Sequence, residues 1–132
     1  MNKKILITGI TGQAGSTMCD YLFEKYPNCK IWGVIRRLSN PNHINIEHLK
    51  KNLNFQLIQG DLTDGHSLYE CVQKVKPDYF INAAAQSFVG ESWNSPVSTF
   101  EIDAVAIIHI LEAIRKLVPE CRFVNFGSSE QF

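Results

Sequence analysis

The sequence predicts an α/β fold built on a doubly wound parallel sheet, and three observations carry that prediction. Apolar runs rich in β-branched residues alternate with runs of helical periodicity along the 132 residues. The first apolar run, Ile5-Leu6-Ile7-Thr8, leads straight into Gly9, Gly12 and Gly15, spaced G-x-x-G-x-x-G, and a helical pattern opens at once. Right-handed crossovers, combined with a glycine-rich first turn, give five strands in the order 3-2-1-4-5, the Rossmann arrangement.

The elements follow in order. A strand is expected over Lys4–Thr8, then a helix over 13–26 whose apolar positions are Met18, Cys19, Leu22, Phe23 and Tyr26. The second strand spans Lys30–Ile35. The polar stretch 38–45 reads as a surface loop that runs into a helix over 42–51. Strand Phe55–Gln59, helix 64–75 and strand Tyr79–Asn82 come next. A long helix over 95–117 opens with Ser95 at the N-cap and Pro96 at its first position. Its apolar residues form two stripes. One is Ile102, Val105, Ala106, Ala113 and Leu117; the other is Phe100, Ile107, Ile108, Leu111 and Val118. Such a helix must be covered on two sides, by the sheet and by something else. A fifth strand over 122–126 ends close to Phe132, leaving an uncovered sheet face expected near Phe123 and Phe126. A doubly wound sheet normally continues with a covering helix, so residues 1–132 read as the N-terminal, nucleotide-binding portion of something longer.

Composition narrows the partners. Formal net charge is zero, and no basic run supports a nucleic-acid or membrane-surface partner. No apolar stretch has transmembrane length, and the N-terminus is strand-like rather than a signal peptide. Cys19, Cys29, Cys71 and Cys121 are widely spaced and read as reduced thiols, in keeping with a cytoplasmic protein. His43, His48, His66 and His109 show no metal-ligand spacing, so no metal site is expected.

The glycine triplet points to a dinucleotide. Gly9 allows a tight turn, Gly12 lets backbone approach a pyrophosphate, and Gly15 lets helix and strand pack closely. The helix dipole favours the diphosphate, and Thr11 and Gln13, between the glycines, are assigned to the same site. About 20 residues beyond the last glycine, where a carboxylate would hold a ribose 2′-OH, stand Ile35, Arg36 and Arg37. Two guanidiniums suit a 2′-phosphate, so NADP is expected over NAD. Gly60-Asp61-Leu62 sets a carboxylate at the end of the third strand, suited to an adenine amino group. The small residues Ala83 to Ala85, after the fourth strand, let a cofactor lie against backbone.

With these residues in place, the chain resembles the extended short-chain dehydrogenase/reductases, and more closely the GDP-mannose 4,6-dehydratase family. The similarity runs through Ile7 to Ser16, Arg36-Arg37, and Gly60 to Asp64. It continues through Asn82-Ala83-Ala84-Ala85-Gln86-Ser87-Phe88-Val89-Gly90, Ser92 to Pro96, and Leu111 to Arg115. Ser87 joins the expected cofactor contacts on that basis. The resemblance implies a lyase acting on GDP-mannose. Hydride passes from C4 of the hexose to NADP⁺, water leaves across C5–C6, and hydride returns to C6. It also implies that Gly127-Ser128-Ser129-Glu130 supplies two catalytic groups, Ser128 orienting the sugar and Glu130 taking the C5 proton. Departures from the family pattern are Ser128 in place of Thr, Gly127 in place of Ser, Ala14 in place of Asp and Ala106 in place of Gly. Gly-Ser-Ser-Glu is also similar to related 4-keto-sugar reductases.

The family's Tyr-x-x-x-Lys pair belongs on a helix after the fifth strand. The pairs Tyr21–Lys25 and Tyr26–Lys30 match the spacing but lie in or beside the first helix, where the chemistry has no use for them. The 132-residue chain alone is therefore expected to be inactive. Alternatives are a 4-keto reductase or 4-epimerase of the same superfamily, or a non-catalytic NADP-binding regulatory module. The two-sided helix predicts a homo-oligomer, a dimer or a tetramer.

Overall fold

The computed structural model describes residues 2–127. Five strands, β1 (Lys4–Thr8), β2 (Lys30–Ile35), β3 (Phe55–Gln59), β4 (Tyr79–Asn82) and β5 (Arg122–Asn125), form one sheet in the order β3-β2-β1-β4-β5. Every pairing is parallel, with Ile5 opposite Ile31 on one side of β1 and opposite Tyr79 on the other. The expected Rossmann-type order is thus the observed one. The chain runs outward from β1 to β3 and then returns to lay β4 on β1's other side, and a crevice opens between the carboxyl ends of β1 and β4.

Alternation along the strands divides the core. Leu6, Val34 and Phe80 point to one face, where α2 (Gly65–Val75) contributes Leu68, Cys71, Val72 and Val75. The last helix, α5 (Ala106–Leu117), adds Ala106, Ile110, Ala113 and Ile114 to the same core. Ile5, Ile7, Ile31, Phe55 and Ile81 point to the other face. It is covered by α1 (Gln13–Lys25) and by a 3-10 helix at Ile44–Lys51, through Cys19, Ile46 and Leu49. Each fully buried branched side chain stabilises by about 1.5–3 kcal/mol, so both faces contribute heavily.

Three connections differ from the sequence reading. The expected helix 42–51 is a 3-10 helix that begins at Ile44. A short helix, α3 (Val89–Asn94), stands where only loop was expected. The expected helix 95–117 is three pieces: α4 (Pro96–Phe100), a π-helical turn at Glu101–Val105, and α5. The π turn has the backbone N–H of Ala106 bonded to the carbonyl of Glu101. Ser95 does hold the N-cap position of α4, but its hydroxyl donates to Glu91 Oε1 at 2.7 Å instead of serving the backbone.

At the sheet edge, Phe123 is half-buried edge-on against Phe80, ring centroids 5.8 Å apart, so it belongs to the core under α5. The open surface at this edge is Val124, which faces the other way, together with Phe126.

Candidate functional site

The glycine loop is built by close backbone contact. Gly9 has φ +70°, a left-handed conformation that favours glycine, and a Cβ there would lie 2.6 Å from the backbone of Ala83 and Ala84. A Cβ on Gly15 would lie 2.2 Å from the carbonyl oxygen of Gly9. The Gly12 N–H donates to that same oxygen at 3.1 Å and closes the turn. The first buried residues of α1 are therefore small ones, Gly15 and Ser16. The helix start sits against the carboxyl end of β1 with no side-chain cap. Ser16 Oγ turns back onto the Gly12 and Gln13 carbonyls, which leaves the first N–H groups of the helix aimed outward.

These groups open onto a cleft of about 760 Å³, within the roughly 300–1,000 Å³ of small-molecule sites. Gly9, Thr11, Gly12, Gln13 and Gly15 line its floor. Arg36, Asp61 and Leu62 line one side; Ala83, Ala85 and Ser87 line the other. All these residues were singled out in the sequence, and the fold brings them together. Arg37 is exposed and does not line the cleft. Asp61 Oδ1 accepts from the Thr63 amide at 2.9 Å and the Thr63 hydroxyl at 2.8 Å. Capping of α2 falls instead to Asp64, which accepts from the amides of His66 and Ser67.

Leu38, Asn42 and His43 also line the cleft, and sequence reasoning missed them. They lie in the polar loop after β2, which has no periodicity to read. Asn45 Nδ2 fastens this segment to the glycine loop by donating to the Thr11 carbonyl at 3.0 Å.

A second cleft, of about 610 Å³, shares the wall Ala84 to Phe88 with the first and reaches Ser92, Thr99, Asp103 and Asn125. Phe126 and Gly127 line both. The expected catalytic residues Ser128 and Glu130 lie outside the described residues. The strand ends beneath the clefts are joined by side chains. The buried Thr8 hydroxyl donates to Asn82 Oδ1, and Asn82 Nδ2 donates to Asn125 Oδ1 at 2.7 Å. This chain of polar groups ties β1, β4 and β5 together where the crevice opens.

Among the described residues no three His, Cys, Asp or Glu side chains group as metal ligands, and no helix is long and apolar enough to cross a membrane. All four cysteines are free. Burial pushes the Cys19 thiol up to about 12 and the Cys71 thiol up to about 11, so neither is a ready nucleophile. The Tyr21–Lys25 pair is formed, Lys25 Nζ donating to the phenol oxygen at 3.2 Å, but on the exposed face of α1 and away from both clefts.

Comparison with known proteins agrees with this architecture. The family model described as GDP-mannose 4,6 dehydratase matches residues 6–132. The GDP-mannose 4,6-dehydratase of Vibrio cholerae is 41% identical over 140 aligned positions, covering 100% of this chain and 37% of the relative. The Homo sapiens GDP-mannose 4,6 dehydratase is 37% identical over 135 positions, covering 96% of this chain and 36% of the relative. In fold, the dTDP-glucose 4,6-dehydratase of Bacillus anthracis, solved in complex with NAD, superposes with a TM-score of 0.76 at 20% identity. That match covers 93% of this chain and 36% of the other. The chain thus spans a little over a third of the length of the curated relatives it matches. A match that runs from the first strand to the last residue, on a sheet of the same order, makes this chain a member of the GDP-mannose 4,6-dehydratase family.

Proposed function

We propose that this chain is the cofactor-binding portion of an NADP-dependent lyase that converts GDP-mannose to its 4-keto-6-deoxy product. The observation that carries the reading is the pair of clefts with one common wall. A nucleotide in the first and a sugar in the second would meet at Ala84 to Phe88, beside the end of β5. The residues fit the cofactor. A Cβ on Gly9 or Gly15 would collide with backbone, and the uncapped start of α1 offers N–H groups to a diphosphate. Arg36 lines the cleft where the 2′-phosphate would lie, Asp61 keeps a carboxylate oxygen for the adenine amino group, and Ala83, Ala85 and Ser87 take the nicotinamide half. When bound, the nicotinamide supplies acceptance and return of a hydride.

The chain's own residues do the rest. Ser128 holds the sugar hydroxyl by a hydrogen bond, and Glu130 removes the C5 proton once C4 is a ketone. Names among the relatives support the substrate, and the complex of the Bacillus anthracis enzyme supports a nicotinamide cofactor of the NAD type. The exposed apolar residues Phe100, Ile108 and Leu111 support a homo-oligomer through this helical stretch, and the free, mostly buried thiols support a cytoplasmic location.

The test is conversion of GDP-mannose by the protein as its gene encodes it, followed by solvent-deuterium incorporation at C5. Glu130→Gln is expected to abolish elimination and leave NADP binding within about twofold, because the carboxylate acts on the sugar. Reduction of a 4-keto sugar without dehydration would make the protein a reductase. NADP binding with no turnover of any nucleotide sugar would make it a regulatory module.

A further inference from the structure

The wall between the two clefts is a loop with little attachment to the sheet. After the Ala83 N–H, which donates to the Thr8 carbonyl at 3.2 Å, the ladder ends. Three side chains take over, those of Gln86, Thr99 and Asp103. Gln86 closes a ring on Phe88, its Oε1 accepting from the Phe88 N–H at 2.7 Å and its Nε2 donating to the Phe88 carbonyl at 3.0 Å. The same Nε2 donates to Thr99 Oγ1 at 3.3 Å. The backbone N–H of Gln86 donates to Asp103 Oδ1 at 2.8 Å. Thr99 is held in turn by donating to the Ser95 carbonyl at 2.9 Å.

Asp103 lies in the π turn, and the π turn explains how it reaches the loop. In an uninterrupted α-helix, Thr99, Asp103, Ala106 and Ile110 would follow the spacing i, i+4, i+7, i+11 and share one face. Ala106 and Ile110 are fully buried under the sheet, so the carboxylate and the hydroxyl would be directed into the apolar core. One extra residue in the turn at Glu101–Val105 shifts the upstream helix by up to about 100° relative to α5. Thr99 and Asp103 leave the buried face and meet Gln86 instead. A π turn sacrifices regular hydrogen bonding and is uncommon; here the result is a lock on the wall shared by both clefts.

We propose that Asp103 and Gln86 are positioning residues for the reaction: acting through the loop, they hold Ser87 and Phe88 at the distance that lets a sugar in one cleft react with a nucleotide in the other. This rests on the dehydratase reading above. Asp103 acts as a hydrogen-bond acceptor rather than as a charge, so an amide can replace it.

The experiment compares Asp103→Ala, Asp103→Asn and Gln86→Met with the parent protein as its gene encodes it. The readouts are NADP stoichiometry, kcat, KM for GDP-mannose, and amide exchange at Gln86 and Phe88. Asp103→Ala and Gln86→Met are expected to lower kcat roughly 10–100-fold, the scale of a small misplacement of reacting groups. NADP stoichiometry should stay at the parent value and KM within about threefold. Exchange at Gln86 should quicken in Asp103→Ala, and Asp103→Asn should restore kcat. Parent-like kcat in both Asp103→Ala and Gln86→Met overturns the proposal, and so does failure of Asp103→Asn to rescue. If Asp103→Ala loses NADP through misfolding, Gln86→Met, which keeps the backbone bond to Asp103, decides alone. If the parent protein does not convert GDP-mannose, the dehydratase reading fails; the lock then stands or falls on amide exchange at Gln86, and unchanged exchange in Asp103→Ala overturns it.

Discussion

Arg36 and Arg37 are adjacent in sequence, identical in chemistry and different in surroundings. Both are exposed, but only Arg36 borders the first cleft. Loss of one charge-assisted contact to a 2′-phosphate costs on the order of 1.5–3 kcal/mol. Arg36→Ala is therefore expected to narrow the preference for NADP over NAD by roughly 10–100-fold, and Arg37→Ala by far less. Calorimetric titration with each cofactor checks this, and equal affinities in the unmodified protein would remove the basis for NADP. The sequence offered the pair without saying which arginine borders the cleft, because the residue after a strand end takes its direction from the loop that follows. His43 illustrates the same limit. It borders the cleft from a loop held by the Asn45–Thr11 contact, 34 residues apart in sequence.

The glycine loop is the element where packing and proposed binding separate most clearly. A Cβ on Gly15 would sit 2.2 Å from the Gly9 carbonyl oxygen, whereas one on Gly12 would sit 3.3 Å from it. Gly15→Ala must push helix from strand and is expected to destabilise by roughly 1–3 kcal/mol. Gly12→Ala, at φ −79°, should fold at nearly the parent stability yet obstruct a diphosphate. Urea unfolding of the unliganded variants, paired with nucleotide titration, tells them apart. This loop and all five strands were legible, because β-branched runs and glycine spacing are local signals. The 3-10 helix was legible in position and not in type, since its buried residues Ile46 and Leu49 are three apart, a spacing both helix types allow. α3 was illegible because it is six residues long: Val89 and Trp93 share a face, but one i, i+4 pair is too short a pattern to read as a helix. The π turn was illegible: both apolar stripes run on through α5, Ala106 and Ala113 on its buried face and Ile108 and Leu111 on its exposed face, so neither marks the extra residue at Glu101–Val105.

At the scale of the whole molecule, the apolar residues that remain outside the core are concentrated. Phe88, Val89, Trp93, Val97 and Phe100 are all more than half exposed across α3 and α4, and Ile108 and Leu111 extend the apolar surface along α5. Large apolar side chains exposed at this density along one stretch of chain favour association. The chain is expected to show a concentration-dependent mass by sedimentation, and Ile108→Lys with Leu111→Lys to shift it toward monomer without loss of helix by circular dichroism. A monomer at high concentration in the unmodified chain would contradict this. The sheet order carries a consequence for how the molecule assembles. The central strand finds β2 early, but its other neighbour comes late: Lys4 meets Asp78, and Thr8 meets Asn82, each across 74 residues of chain. Gly9 presses on Ala83 and Ala84 across the same gap. The crevice therefore does not exist in a half-folded chain, and its closure is the slow, entropically costly step typical of distant strand pairing. A nucleotide that fits only the closed crevice captures the finished fold, adding about 2.7 kcal/mol of stability at a hundredfold excess over its dissociation constant. If the crevice takes the nucleotide proposed above, its supply sets how much of the newly made chain survives as native protein.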